Sequence, residues 1–160
     1  MSARTVIHTS AIAPEWIDFN GHLRDAYYTV IVSDATDRLM DRLGLDAQYR
    51  ARTRCTLYTL ELHMHFLHEV KLQDELQVAV RIAASDAKRI LTVFELYSDR
   101  HPDPVATAEV MMLHVHQGET VASRPFPPQV LAQIAELERT TQAVPAVGPG
   151  SRQMRLPQRR

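Results

Sequence analysis

A single cysteine, Cys55, occurs in 160 residues, so no disulfide can form within the chain. A reducing cytoplasm is the expected compartment, and Cys55 is expected to be a small, inert core residue. Excess charge is also lacking. A net charge of −1 gives nucleic acid no electrostatic reason to bind. No stretch is long and apolar enough to cross a membrane, and "MSARTVIHTS" has no apolar signal-peptide core. Internal repeats are missing too. What remains is a chain of ordinary single-domain length, 45% hydrophobic, which is enough for a real core.

The hydrophobic residues change period along the chain. "TVIHTSAIAPEWID" predicts a first strand, its regular part limited by Pro14. From about Ala26, the residues Tyr28, Val32, Ala35, Leu39 and Leu43 recur at spacings of three and four, the signature of a helix with one apolar face. Gly44 follows as a natural stop.

Period two then takes over. In "LYTLELHMHFLHEV", Tyr58, Leu60, Leu62, Met64 and Phe66 alternate with polar residues, predicting a strand whose apolar face carries those five. "ELQVAVRIAA", "RILTVFELYSD" and "PVATAEVMMLHVHQGETVA" predict three more. The short polar joints "KLQD", "SDAK" and "DRHPDP" make them antiparallel neighbours. "PPQVLAQIAELERT" predicts a terminal helix opened by proline. The domain is expected over residues 1–140, and 141–160, rich in Pro, Gly and Arg, as a disordered basic tail. One long helix against a wide antiparallel sheet is α+β architecture. A single helix covers such a sheet poorly, so a homodimer or homotetramer that protects its edges is expected.

The strand-to-helix joint reads "EWIDFNGHLRDAYY", residues 15–28. This order and "DFNGH" resemble the hotdog-fold acyl-CoA thioesterases, most closely the 4-hydroxybenzoyl-CoA thioesterase branch. That branch has Asp, two residues, Gly-His, then asparagines and a Tyr entering the helix. The matching positions are Asp18, Gly21, His22 and Tyr28. Arg24 and Asp25 replace the usual asparagines. "YTLELHMHFLHEVKLQDELQV", "SDAKRILTVFELY" and "VATAEVMMLHV" resemble a narrower group, the betainyl-CoA thioesterases of carnitine breakdown, also found fused to carnitine dehydrogenase. The likeness spans roughly residues 5–130.

The resemblance implies a hotdog fold, a dimer or dimer of dimers, acyl-CoA as substrate, and no metal or other cofactor, coenzyme A being part of the substrate. Cleaving a thioester requires an oxygen nucleophile and donors for the developing oxyanion. Asp18 is the candidate for the first, attacking directly or acting as base on water. Its alternative role is to satisfy loop amides or cap the helix. The helix start near Asp25 supplies unpaired N–H groups, and the Asp25 carboxylate is expected to point away from the oxyanion. Gly21 lets the backbone pass close to the substrate. His22 orients the loop or the carbonyl, or is a structural histidine bonded to backbone.

For coenzyme A phosphates the resemblance singles out the turn holding Lys88 and Arg89, whose alternative is a solvated turn. A quaternary ammonium needs aromatic faces and a carboxylate, and Trp16, Tyr27, Tyr28, Tyr58 and Glu61 are available. His63 with His65, and His114 with His116, could ligate metal in principle. No third ligand is evident, so sheet or interface roles are expected. The rival readings are a thioesterase for another short or aromatic acyl-CoA, a hotdog domain that binds acyl-CoA without cleaving it, and a hotdog dehydratase. Asp18 speaks against the second, and the absence of a hydratase-type motif against the third.

Overall fold

The computed structural model describes residues 4–141. The predicted basic tail lies outside the described residues. Strand β1 runs Val6–Ala11 and ends well before residue 18. Pro14, locked near φ −65°, starts a 3-10 turn over Pro14–Trp16 in place of further strand. After a loop comes α1, Asp25–Arg42. Tyr28, Val32, Ala35, Leu39 and Leu43 are all buried, and Ile31 and Met40 widen the same face. Leu45 N–H reaches back to the Met40 carbonyl past Gly44, whose φ of 78° is glycine's region.

A helix not predicted from sequence follows. α2, Ala47–Thr53, is capped by Asp46, whose carboxylate accepts from Tyr49 N–H at 2.8 Å. Tyr49 is its sole buried residue, so α2 shows no apolar stripe.

The strands are β2 Cys55–Phe66, β3 Glu75–Ser85, β4 Arg89–Ser98, β5 Ala106–Gln117 and β6 Val121–Ser123. They form one antiparallel sheet ordered β1-β3-β4-β5-β2, with β6 pairing back onto β5. The fourth predicted run is therefore a hairpin, broken at Gly118–Thr120. On the inner face, Val78, Val80, Phe94, Leu96, Val110 and Met112 join Ile31, Val32, Ala35 and Leu39 of α1 in one buried cluster. Each large side chain so buried contributes roughly 1.5–3 kcal/mol. α3, Pro128–Thr141, adds Val130, Ile134 and Leu137 from spacings of four and three. The arrangement is the expected α+β hotdog fold, a long helix held against a sheet.

β2 departs from its predicted pattern. Its register against β5 shifts between Thr59 and Glu61, leaving Leu60 as an extra residue. A bulge of one residue swaps the two faces. Before it, Cys55 and Leu57 are buried; after it, Leu62 and Met64 pack on the core. Tyr58 and Leu60 therefore face outward, 37% and 55% exposed, instead of sharing an inner face with Leu62. Phe66 is 53% exposed but sets its ring edge-on to Tyr28, centroids 5.1 Å apart.

Candidate active site

The loop between the 3-10 turn and α1 is closed by a bridge of Ile17 with Leu23. Asp18 N–H donates to the His22 carbonyl at 2.8 Å, and Gly21 N–H to the Asp18 carbonyl at 3.0 Å. The chain reverses sharply enough that Gly21 sits at φ 79°, where a Cβ is disfavoured although open space surrounds it.

The Asp18 carboxylate folds over this turn. Its Oδ1 accepts from Asn20 N–H at 2.8 Å and from His22 N–H at 3.0 Å. Its Oδ2 has only a long 3.5 Å contact from Asn20 Nδ2. The His22 amide bond first, then the Asn20 bonds, hold the carboxyl below its ordinary value against partial desolvation. Asp18 is therefore anionic at neutral pH. One oxygen is committed to the loop and the other is open. The alternative role foreseen for Asp18, satisfying loop amides, is real and leaves Oδ2 available.

A pocket of about 380 Å³ opens beside it, lined by Asp18, His22 and Asp25. Its apolar side is Leu23, Tyr28, Phe66 and Leu67, and His68 and Glu69 complete the rim. Burial, then the nearby Asp74 charge, push the Tyr28 hydroxyl up to about 12, so it stays a neutral donor. Arg24 is the N-cap of α1 and offers no side-chain cap. Among the described residues the Asp25 N–H has no acceptor, and the helix dipole adds positive charge there. That N–H is the candidate oxyanion donor. The Asp25 carboxylate does not leave the site: it lines the pocket while its Oδ1 accepts from Ala26 N–H at 2.8 Å. That bond turns one of its oxygens back onto the helix end.

The structure brings Asp18, His22, Asp25 and Tyr28 to one pocket, with Gly21 in the loop that builds it. It does not bring the other candidates into that lining. Trp16 stacks on Tyr27, centroids 5.0 Å apart and planes 13° from parallel. Tyr58 accepts from Gln117 Nε2 at 3.0 Å on the outer face of β2. Glu61 pairs with His63 Nε2 at 2.9 Å, which occupies both on the strand surface. Lys88 Nζ contacts Ser123 Oγ at 3.2 Å, and Arg89 is clamped to Asp86 at 2.6 Å. His114 has a sheet role, bonding Tyr49 Oη at 2.9 Å and the Arg124 carbonyl at 2.8 Å. Among the described residues no cluster of three metal-ligating side chains forms.

Glu69 and His68 were not found by sequence reasoning. Glu69 Oε2 lies 2.9 Å from His22 Nε2, and its Oε1 3.1 Å from Lys71 Nζ. The segment carrying them is tied to the loop by Leu23 N–H donating to the Val70 carbonyl at 2.8 Å. A charged residue just past the end of a regular strand was the available signal. Its pairing with a loop 47 positions away is a matter of topology.

A fixed carboxylate with one open oxygen, beside an uncapped helix N-terminus and an apolar-walled pocket, is equipped for acyl transfer. The chain belongs to the thioesterase-like superfamily, whose family model matches residues 12–134, and is a thioester hydrolase of hotdog fold. More particularly, it is 39% identical to the betainyl-CoA thioesterase of Pseudomonas aeruginosa, over 91% of each chain. It is 36% identical to the L-carnitine dehydrogenase/betainyl-CoA thioesterase of Agrobacterium fabrum, covering 82% of this chain but 26% of that longer one. Among solved structures, a Staphylococcus aureus protein in complex with CoA matches with TM-score 0.86 and 30% identity, over 96% of this chain and 97% of that one.

Proposed function

We propose that this enzyme hydrolyses betainyl-CoA to betaine and CoA, and that Asp18 carries the reaction. The observation that supports it is the open Asp18 Oδ2 beside the unpaired helix start. Asp18 attacks the thioester carbon directly or takes the proton of an attacking water; both routes use the same oxygen. The Asp25 N–H receives the developing oxyanion.

The acyl group is read from the wall of the pocket. Asp25 lines it, Tyr28 and Phe66 form its aromatic side, and among the described residues no Lys or Arg lines it. Such a wall favours a cationic acyl group over a neutral one. A quaternary ammonium against an aromatic face gains roughly 0.5–2 kcal/mol, or about 2- to 30-fold in specificity constant. A panel of acyl-CoA esters tests this. Betainyl-CoA should exceed its neutral isostere 3,3-dimethylbutyryl-CoA within that range, and equal specificity constants would remove the cation from the reading. Trp16, Tyr58 and Glu61 remain candidate substrate contacts, and Lys88 and Arg89 remain candidates for the coenzyme A phosphates. Each should raise KM when replaced by Ala if it holds that role.

The enzyme works without a cofactor in this reading, so chelation should leave turnover unchanged. It acts in the cytoplasm as a homodimer or homotetramer. β2 supports that assembly: it is an edge strand bearing exposed Leu60 and Phe66. Light scattering at assay concentration should give twice or four times the chain mass; a fully active monomer would contradict it.

A further inference from the structure

Hydrolysis of a thioester breaks a C–S bond, forms a C–O bond and must move a proton. Water loses one as it adds to the acyl carbon, and the departing CoA thiolate takes one up. Asp18 suits that shuttle poorly. Two amides already hold its charge on Oδ1, which makes it a weak proton acceptor.

His22 is held differently, at both its backbone and its ring. Its N–H donates to Asp18 Oδ1 at 3.0 Å and its carbonyl accepts from Asp18 N–H at 2.8 Å. Its ring Nε2 meets Glu69 Oε2 at 2.9 Å. Glu69 is itself fixed, because Lys71 holds the other oxygen at 3.1 Å. A carboxylate only accepts, so in the neutral imidazole the ring proton sits on Nε2. Nδ1 is then left with its lone pair, and His22 lines the pocket. An imidazole oriented through one nitrogen by a carboxylate, with the other nitrogen free, has the geometry of an oriented general base.

We propose that Glu69 is a positioning residue for this reaction, acting through His22, whose Nδ1 takes the proton from water and returns it to the CoA thiolate. The imidazole ends neutral, as it began, and the product acid releases its own proton to solvent. This rests on the thioesterase reading of the same pocket. Of the two routes open to Asp18 it selects direct attack on the thioester carbon, and it gives the proton traffic of the water that follows to His22.

Two readouts test it. In histidine-labelled, ligand-free protein, a slowly exchanging Nε2–H resonance of His22 should appear and should be lost in Glu69→Ala. In steady state, Glu69→Ala should lower kcat by about 10-fold or more with KM little changed, part of the roughly 10²–10⁴-fold a proton-transferring side chain supplies. Glu69→Gln keeps an oxygen that accepts the ring N–H and should recover much of the loss. With His22 already replaced by Gln, adding Glu69→Ala should cost nothing further, because both changes remove one device. Losses that multiply, a change confined to KM, or a Glu69→Ala enzyme with native kcat would overturn the inference while leaving the thioesterase reading intact. A native chain that cleaves no acyl-CoA overturns both.

Discussion

Two turns in this molecule build the same device and finish it differently. In the β3–β4 turn, Asp86 Oδ1 accepts from Lys88 N–H at 2.9 Å and Arg89 N–H at 2.7 Å. In the loop before α1, Asp18 Oδ1 accepts from Asn20 N–H and His22 N–H at nearly the same distances. Both carboxyls are held below their ordinary value. The difference is the second oxygen. Asp86 Oδ2 is closed by the Arg89 guanidinium at 2.8 and 2.6 Å, which drives its pKa to about 2. Asp18 Oδ2 has no cation among the described residues, and Asp18 lines a pocket. A third acid, Asp74, repeats the closed form in the interior, forked by Arg100. Anchoring by backbone amides is common to all three carboxylates; the missing guanidinium sets Asp18 apart and is what its proposed role requires.

Each of these turns can be disrupted singly, and the expected effects on stability fall in a definite order. The largest is at Asp74, whose side chain is 1% exposed, so Asp74→Ala strands Arg100 and frees the Lys71 N–H. Arg100, 38% exposed, can partly turn to water. The loss should be about 2–3 kcal/mol, short of the full cost of breaking a buried pair. In a thermal melt that is roughly 5–10 °C for a chain of this size. Next comes Gly21→Ala. Open space surrounds the position, so only its φ of 79° is charged, about 1–2 kcal/mol. A melt unchanged from native would show the loop to be unstrained.

The smallest is Asp86→Asn, and it depends on pH. The folded pKa of about 2 lies below the ordinary 3.8. The clamp therefore contributes its full stability above pH 3.8 and loses it as pH falls through the folded value. Native protein should exceed the variant in urea midpoint at neutral pH, and the two should converge near pH 2. A gap that stays constant down to pH 2 would show the ionised clamp to be irrelevant.

Much of this was legible in the sequence, and what was not has physical causes. α1 was readable because Tyr28 to Leu43 mark one face at helical spacing, and the fold buries that face. The loop of Asp18, Gly21 and His22 was readable because its backbone contacts fall within five residues, where local order reports geometry. The β2 face was misassigned because one extra residue at Leu60 inverts a period of two, and no composition marks it. α2 escaped because one buried side chain makes no stripe. The stacking of Trp16 on Tyr27 was not legible, because residues eleven apart across a turn share no local pattern. Glu69 reaches His22 only through the β2–β3 connection, a contact that no local pattern encodes.

The open oxygen of Asp18 is tested by kcat for betainyl-CoA in Asp18→Asn and Asp86→Asn, side by side, with melts confirming that both are folded. The expected result is a loss of about 10²–10⁴-fold or more for Asp18→Asn, since asparagine keeps the loop bonds but has no charged oxygen to offer. Asp86→Asn should stay within about threefold of native, because a closed carboxylate does no chemistry. Near-native turnover in a folded Asp18→Asn protein, or equal losses in the two variants, would contradict the claim that the open carboxylate is the reacting group.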